Sequence, residues 1–191
     1  MFLEGQNLKQ ENNNKYLDYC IQAIANNDKR YLEELYVLTA KSIYGYALSI
    51  LKNKYDAEDV LQSTYINIFK AAKSYQSKGK PKAWMMRIAK NLCLEKIRKH
   101  QYEVEDVQED WNTVVGDNDE LSVTEKLLVQ KCMTVLSEEE REIVILHAVS
   151  GLKHREIAEN LGLLLPTVLS KYNRAIKKLK DEYLKEINDE K

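Results

Sequence analysis

Residues 154–168 carry a glycine and a proline at the spacing of a helix-turn-helix. Ile157 and Ala158 predict the buried side of a short helix, and the small Ala158 lets a second helix cross close by. Gly162 follows where the chain must turn, and a glycine adopts the backbone conformation of a tight turn without steric cost. Pro166 stands where the first turn of a helix tolerates a missing N–H. The spacing therefore predicts two helices joined by a sharp turn.

The second helix of this motif, residues 166–180, separates apolar from polar side chains. Val168, Leu169, Tyr172, Ala175, Ile176 and Leu179 fall on one side, and Thr167, Ser170, Lys171, Arg174, Lys177 and Lys178 fall on the other. A helix in the major groove needs such an apolar back and basic front. An ordinary amphipathic helix with solvated lysines has a similar pattern, but the turn, the small residue and the charge bias together favour DNA binding. The candidate contacts in 154–179 are His154, Arg155, Thr167, Ser170, Lys171, Arg174, Lys177 and Lys178.

Charge is segregated along the chain although its formal net value is only −1. Residues 70–100 contain ten lysines and arginines against the single acid Glu95. Residues 101–125 contain nine acids and no lysine or arginine, and residues 168–180 contain five basic residues and no acid. The distribution therefore indicates two nucleic-acid-binding edges separated by an acidic stretch, which the net charge conceals.

The composition predicts an all-α protein made of two small helical domains joined by an acidic linker, the C-terminal domain being a helix-turn-helix. The 191 residues include six glycines and two prolines. No apolar run approaches the ~20 residues of a membrane span, so we expect no membrane insertion. The polar N-terminus has no signal core, which predicts a cytoplasmic protein. The three cysteines have no paired spacing and are expected to be reduced thiols. We expect no cofactor and no metal site.

Four segments follow from the helical spacing. Residues 1–28 are a leader to about Asn14 and a short helix from Lys15, 29–100 are the first domain, 101–123 the linker and 124–186 the second domain. Asp28 and Asp56 are predicted to cap the first two helices of the first domain, and its last helix runs from about Lys82 to His100. Ser137 and Glu140 form a capping box at the start of an apolar helix.

Two surfaces of the first domain are candidates for binding. The helix that follows Asp56 turns Glu58, Asp59, Gln62, Ser63 and Ile66 outward, and an apolar Ile66 among polar neighbours hints at a contact surface. The basic loop 77–81 leads into a helix whose outer stripe contains Arg87, Asn91, Leu94 and Arg98, with Lys90 beside it. A basic loop that leads into such a helix is a plausible edge for nucleic acid.

These segments resemble a known family in two places and in the same order. Residues 56–65 and 83–91, which includes the run Ala83-Trp84-Met85-Met86-Arg87, look like the first domain of an extracytoplasmic-function (ECF) sigma factor of the sigma-70 family. Residues 136–180 look like its second domain. The resemblance covers roughly residues 29–185, with the acidic linker in its expected place.

The resemblance implies a promoter-specificity subunit of RNA polymerase with no catalytic residues of its own. It assigns core-polymerase binding to Glu58, Asp59, Gln62, Ser63 and Ile66. It assigns capture and melting of the downstream (minus-ten) element to Lys78, Lys80, Arg87, Lys90, Asn91, Leu94 and Arg98. The helix-turn-helix would read the upstream (minus-thirty-five) element. The partners implied are core RNA polymerase, promoter DNA and, at family level only, an anti-sigma factor.

The sequence departs from the family pattern at three places, of which the mildest is Glu95, where an aspartate is common. The family often has an aromatic residue in the loop before Trp84, where this chain has Lys80-Pro81-Lys82. In the recognition helix, Pro166 replaces a common glycine and Leu169 a common lysine. The main alternative is a response regulator with a similar C-terminal domain, but it would need alternating strands and helices in 29–100. A helical metalloenzyme is disfavoured because no histidine has a glutamate three residues before it.

Overall fold

The computed structural model describes residues 2–102 and 123–189, which contain helices and no strand. The helices are α1 (Phe2–Ala25), α2 (Arg30–Leu51), α3 (Lys54–Ala71), α4 (Pro81–Tyr102), α5 (Val123–Thr134), α6 (Glu138–Ala148), α7 (His154–Leu161) and α8 (Leu165–Asp189), with a 3-10 turn at Ala72–Ser74. The predicted all-α class is confirmed. The helices in residues 29–100 also exclude the receiver domain of a response regulator.

The N-terminal domain packs α1, α3 and α4 around α2. Its fully buried side chains include Leu17, Ile21, Leu35, Ile43, Ile68 and Met85. Lys52 separates α2 from α3 in the left-handed conformation, with φ 54°, and its N–H bonds the Leu48 carbonyl at 2.8 Å. Such a cap lets the chain reverse within two residues, so α2 and α3 pack closely over their length.

Helix α1 is longer than the sequence predicts. It begins at Phe2, so the leader expected up to Asn14 and the short helix expected from Lys15 are wrong. Leu17, Ile21 and Ile24 recur at helical spacing and are buried, which anchors the second half of α1 on the domain. The first half of α1 has too few apolar residues to show helical periodicity in the sequence. Its leucine, lysine, glutamine and glutamate residues nevertheless favour a helix once it has been nucleated.

The predicted cap of α3 is also wrong. The side chain of Asn53, not Asp56, accepts hydrogen bonds from the first free backbone N–H groups, those of Tyr55 at 2.9 Å and Asp56 at 3.2 Å. The Asp56 carboxylate instead accepts a hydrogen bond from Lys96 at 2.8 Å and lies 2.9 Å from His100. Asp56 therefore joins the start of α3 to the end of α4. At α2 the N-cap residue is Lys29 and not the predicted Asp28, although the Asp28 carboxylate accepts a hydrogen bond from the Arg30 N–H at 3.2 Å.

Helix α6 of the C-terminal domain begins with the predicted capping box. Ser137 accepts from the Glu140 N–H at 3.3 Å, and the Glu140 carboxylate accepts from the Ser137 N–H at 3.0 Å. The buried side of the domain is built on Ile143, Leu146, Leu152, Ile157, Val168 and Ala175. The Arg141 guanidinium donates to the Met133 and Leu136 carbonyls, which fixes the end of α5 against α6.

The two domains are packed on each other. Helix α6 lies against α2, α7 lies against α4, and most of the buried apolar side chains of both domains form one continuous cluster. Leu136, Val144 and Ala175 form a second, smaller cluster in the C-terminal domain. Most of the predicted acidic linker lies at 103–122, outside the described residues.

Candidate protein and DNA interfaces

The outer face of α3 carries the first candidate surface. Val60, Thr64 and Ile68 are buried against α2, which turns Glu58, Asp59, Gln62 and Ile66 to the exterior and leaves Ser63 half-buried. Ile66 is 52% exposed. Two exposed aromatic residues beyond the predicted set extend the same face, Tyr55 at its beginning and Phe69 at its end. Phe69 is 38% exposed.

Asp59 differs from the other acids of this face because it is held by α4. Its carboxylate accepts a hydrogen bond from Lys96 at 2.8 Å, the same ammonium that binds Asp56. The two aspartates attract the ammonium, and although partial burial acts against them, the pKa of Lys96 is raised. Of the two acids assigned to this surface, Asp59 therefore also stabilises the contact between α3 and α4.

A basic pocket lies where the loop before α4 meets the start of that helix. It encloses about 370 Å³ and is lined by Tyr75, Trp84, Lys78, Lys80 and Arg87 among others. The ring centroids of Tyr75 and Trp84 are 4.6 Å apart. Tyr75 thus supplies an aromatic side chain before Trp84, although residues 80–82 contain none. The Tyr75 hydroxyl donates a hydrogen bond to the buried Asp18 of α1, and this bond fixes the position of the ring.

The outer stripe of α4 continues from this pocket. Arg87, Asn91, Leu94 and Arg98 are exposed, as predicted. Two of the other predicted residues are engaged by the C-terminal domain instead. The Lys80 ammonium binds both carboxylate oxygens of Glu159 at 2.8 Å, and the Lys90 ammonium donates to the Asn160 carbonyl at 3.0 Å.

The helix-turn-helix has the predicted geometry. Gly162 ends α7 in the left-handed conformation with φ 70°, and Pro166 lies in the first turn of α8. The back of α8 is buried through Val168 and Ala175. Among the predicted contacts, Arg155, Ser170, Arg174, Lys177 and Lys178 are exposed, and Thr167 and Lys171 are half-buried.

Two lysines of α8 are partly neutralised inside the domain. Lys171 pairs with Glu139, and Lys178 binds Glu140 at 2.7 Å. Both lysines lie on the predicted polar side of α8, and the acidic first turn of α6 lies beside that side. Arg174 and Lys177, two further predicted contacts of α8, are exposed cations.

His154, which was predicted as a DNA contact, is half-buried in an aromatic cluster. Its ring stacks on His147 with centroids 4.4 Å apart, and Tyr172 meets both rings edge-on. Its buried Nε2 has no hydrogen-bond partner in the described part of the chain. Burial, and secondarily the neighbouring His147, lower the pKa of His154. The environment thus favours the neutral imidazole, which belongs to an aromatic cluster between α6, α7 and α8.

No metal-binding group of three or more histidine, cysteine or acidic side chains occurs in the part of the chain that the structure describes. Cys20, Cys93 and Cys132 are buried free thiols, and burial raises the pKa of each. None of the described helices is long and apolar enough to cross a membrane.

The fold and these surfaces define a two-domain, all-helical helix-turn-helix protein. Residues 35–102 match the family Sigma-70 region 2, and residues 126–179 match Sigma-70, region 4. The chain belongs to the sigma-70 family, and within it to the ECF RNA polymerase sigma factors.

Named relatives agree with this placement. The chain is 32% identical over 155 residues to the ECF RNA polymerase sigma factor SigE of Mycolicibacterium smegmatis, a match that covers 78% of this chain and 60% of that relative. It is 27% identical over 163 residues to the ECF RNA polymerase sigma factor SigM of Bacillus subtilis, covering 83% of this chain and 99% of the relative.

Two solved structures show the same fold. CnrH in complex with the cytosolic domain of CnrY aligns with a TM-score of 0.63 at 21% identity, over 86% of this chain and 94% of that chain. The sigma factor RpoE of Bartonella quintana, in complex with the anti-sigma factor NepR, aligns with a TM-score of 0.65 at 23% identity, over 81% and 96%.

Proposed function

We propose that this protein is a promoter-specificity subunit of bacterial RNA polymerase, which binds core enzyme, recognises two promoter elements and promotes melting. The observation that carries the proposal is the match to sigma-70 regions 2 and 4 in the family order. Each matched region also presents an exposed face where the function needs one. RNA synthesis belongs to the core enzyme, so the chain needs no catalytic residues. Such a subunit works beside the polymerase in the cytoplasm.

Residues 29–100 form the polymerase-binding and minus-ten domain in this proposal, 101–123 the linker and 124–186 the minus-thirty-five domain. The outer face of α3 docks on core polymerase through Glu58, Gln62 and Ile66. This face combines acids with exposed Ile66, Tyr55 and Phe69, the mixture of a central apolar patch and polar rim that protein interfaces use.

The basic pocket captures an unstacked base of the minus-ten element. Tyr75 and Trp84 supply aromatic faces, and Lys78, Lys80 and Arg87 supply positive charge for the adjoining phosphates. Base–aromatic stacking contributes about 1–3 kcal/mol per base. That is comparable with the few kcal/mol needed to unstack one, so capture can shift the duplex towards the melted state. Asn91 and Arg98 extend the contact along α4.

The recognition helix α8 reads the minus-thirty-five element. Its exposed Ser170, Arg174 and Lys177, with Arg155 of α7, present donors suited to base edges and phosphates. An anti-sigma factor is a further expected partner, because the similarly folded RpoE was solved in complex with one.

The division between the two promoter elements is tested by open-complex formation with core polymerase on matched promoter variants. Arg174→Ala should lose discrimination among upstream variants by about 1–3 kcal/mol if it reads a base edge, or weaken all sequences alike if it contacts phosphate. Asn91→Ala should affect opening at downstream variants only. Lys185→Ala, an exposed lysine of α8 beyond the matched region, is the control. The same promoter-independent defect in both variants would contradict the assignment.

Polymerase docking is tested with Glu58→Lys, since Asp59 also binds Lys96 and its reversal would disturb α3 against α4. Association with core polymerase should weaken while the melting temperature stays unchanged. Glu33→Lys, an exposed acid of α2, is the matched control. If Glu58→Lys and Glu33→Lys bind core polymerase equally well, the outer face of α3 is not part of the interface.

A further inference from the structure

The helix-turn-helix domain contacts the proposed minus-ten surface directly. Asn160 at the end of α7 donates from its side chain to the Ala83 carbonyl at 3.0 Å, and its own carbonyl accepts from Lys90 at 3.0 Å. The Asn160 side chain is buried by this contact. Residue 159 is thereby held at the mouth of the basic pocket.

Glu159 lines that pocket together with Lys80 and Arg87. Both of its carboxylate oxygens lie 2.8 Å from the Lys80 ammonium. The hydrogen bond from Lys80, and the positive charges of Lys80, Arg87 and Arg155, lower the pKa of Glu159, so the group is an anion at neutral pH. A carboxylate presents two negatively charged oxygens to a cation much as a phosphodiester does.

We propose that Glu159 is an internal substitute for a DNA phosphate, so that the C-terminal domain of the free chain competes with single-stranded promoter DNA for Lys80 and the basic pocket. This inference rests on the proposed function of the pocket. A single ammonium cannot hold both anions at full strength, and DNA entering the pocket must displace Glu159. Binding of core polymerase that draws the two domains apart would free the pocket.

The competition has a measurable signature in salt dependence. A lysine that neutralises a phosphate of single-stranded DNA releases counterions and contributes about 0.7 to the slope of log affinity against log salt. In the free wild-type chain Lys80 is already neutralised by Glu159, so it has few counterions to release. Removing the Glu159 charge should therefore raise both the affinity and the slope.

The experiment measures binding of the full chain, without polymerase, to a fluorescent mixed-sequence single-stranded 15-mer by anisotropy across a salt series. Glu159→Gln should bind about twofold to fivefold more tightly, the range of an exposed ion pair, with a slope steeper by about 0.7. Asp181→Asn removes the same charge from an exposed position of α8 and should leave both quantities nearly unchanged. Lys80→Gln, measured alone and combined with Glu159→Gln, should abolish the gain that Glu159→Gln produces.

The outcomes separate the inference from the proposed function. If the strand binds but Glu159→Gln equals Asp181→Asn, or if the Lys80 and Glu159 effects add independently, the competition is refuted and the interface assignment stands. If no variant binds the strand at low salt, the minus-ten assignment fails and the inference fails with it. Circular dichroism melts of each variant verify that these surface substitutions leave the fold intact.

Discussion

Tyr46→Phe should weaken the contact between the two domains without damaging either core. Tyr46 of α2 is 1% exposed, and its hydroxyl donates to a carboxylate oxygen of Glu142 in α6 at 2.6 Å. Burial, reinforced by the Glu142 charge, raises the pKa of Tyr46 far above neutrality, so the hydroxyl is always a donor. Phenylalanine keeps the ring and creates no cavity, so the substitution isolates this hydrogen bond.

A hydrogen bond to a charged group contributes about 1.5–3 kcal/mol. The lower part of that range applies here, because Glu142 is only half-buried and lines a cavity of about 540 Å³ through which water can rehydrate it. We therefore expect a loss of about 1–2 kcal/mol, equivalent to a factor of roughly 5–30 in the equilibrium.

Equilibrium urea unfolding of the wild type, Tyr46→Phe, Glu142→Gln and the double variant forms the assay. The double-mutant cycle should give a coupling energy of about 1–2 kcal/mol between the two side chains. If each single variant lowers the free energy of unfolding and the two losses simply add in the double variant, the hydroxyl and the carboxylate act on separate parts of the structure. A coupling energy below about 0.3 kcal/mol, within the scatter of additive effects, would refute the reasoning.

Three further predictions follow from local geometry. Stability should fall as the pH drops below about 6.5, because the unfolded chain binds a proton that the low pKa of His154 disfavours in the fold. The urea midpoint of His154→Phe should depend less on pH in that window than the midpoint of the wild type, and an equal pH dependence in both would contradict the place of His154 in the aromatic cluster. Burial raises the pKa of Cys93 to about 12, so iodoacetamide at pH 8 should alkylate it far more slowly than a denatured control, as mass spectrometry can show. Ser137→Ala should cost about 1 kcal/mol in urea unfolding by removing a cap of α6, whereas Ser170→Ala should cost little.

The sequence was sufficient for features that depend on neighbours within one turn of the chain. Ser137 and Glu140 cap α6 because the two groups that bond are three residues apart, wherever the helix packs. Gly162 and Pro166 define the turn for the same local reason. The outward position of Glu58 and Ile66 follows from helical periodicity alone. The matching order of these signals was enough to indicate the family.

Only the tertiary structure decided which polar groups meet across the chain. Helical periodicity assigned Lys171 to a polar side, but Glu139 neutralises it from a helix that closes on α8 in space. Tyr75 reaches Trp84 because α1 holds it there through Asp18, and Glu159 reaches Lys80 across 79 residues of sequence. A periodic pattern shows which face of a helix is polar, whereas the partner of that face depends on how the helices pack, and this is determined by the shared apolar core.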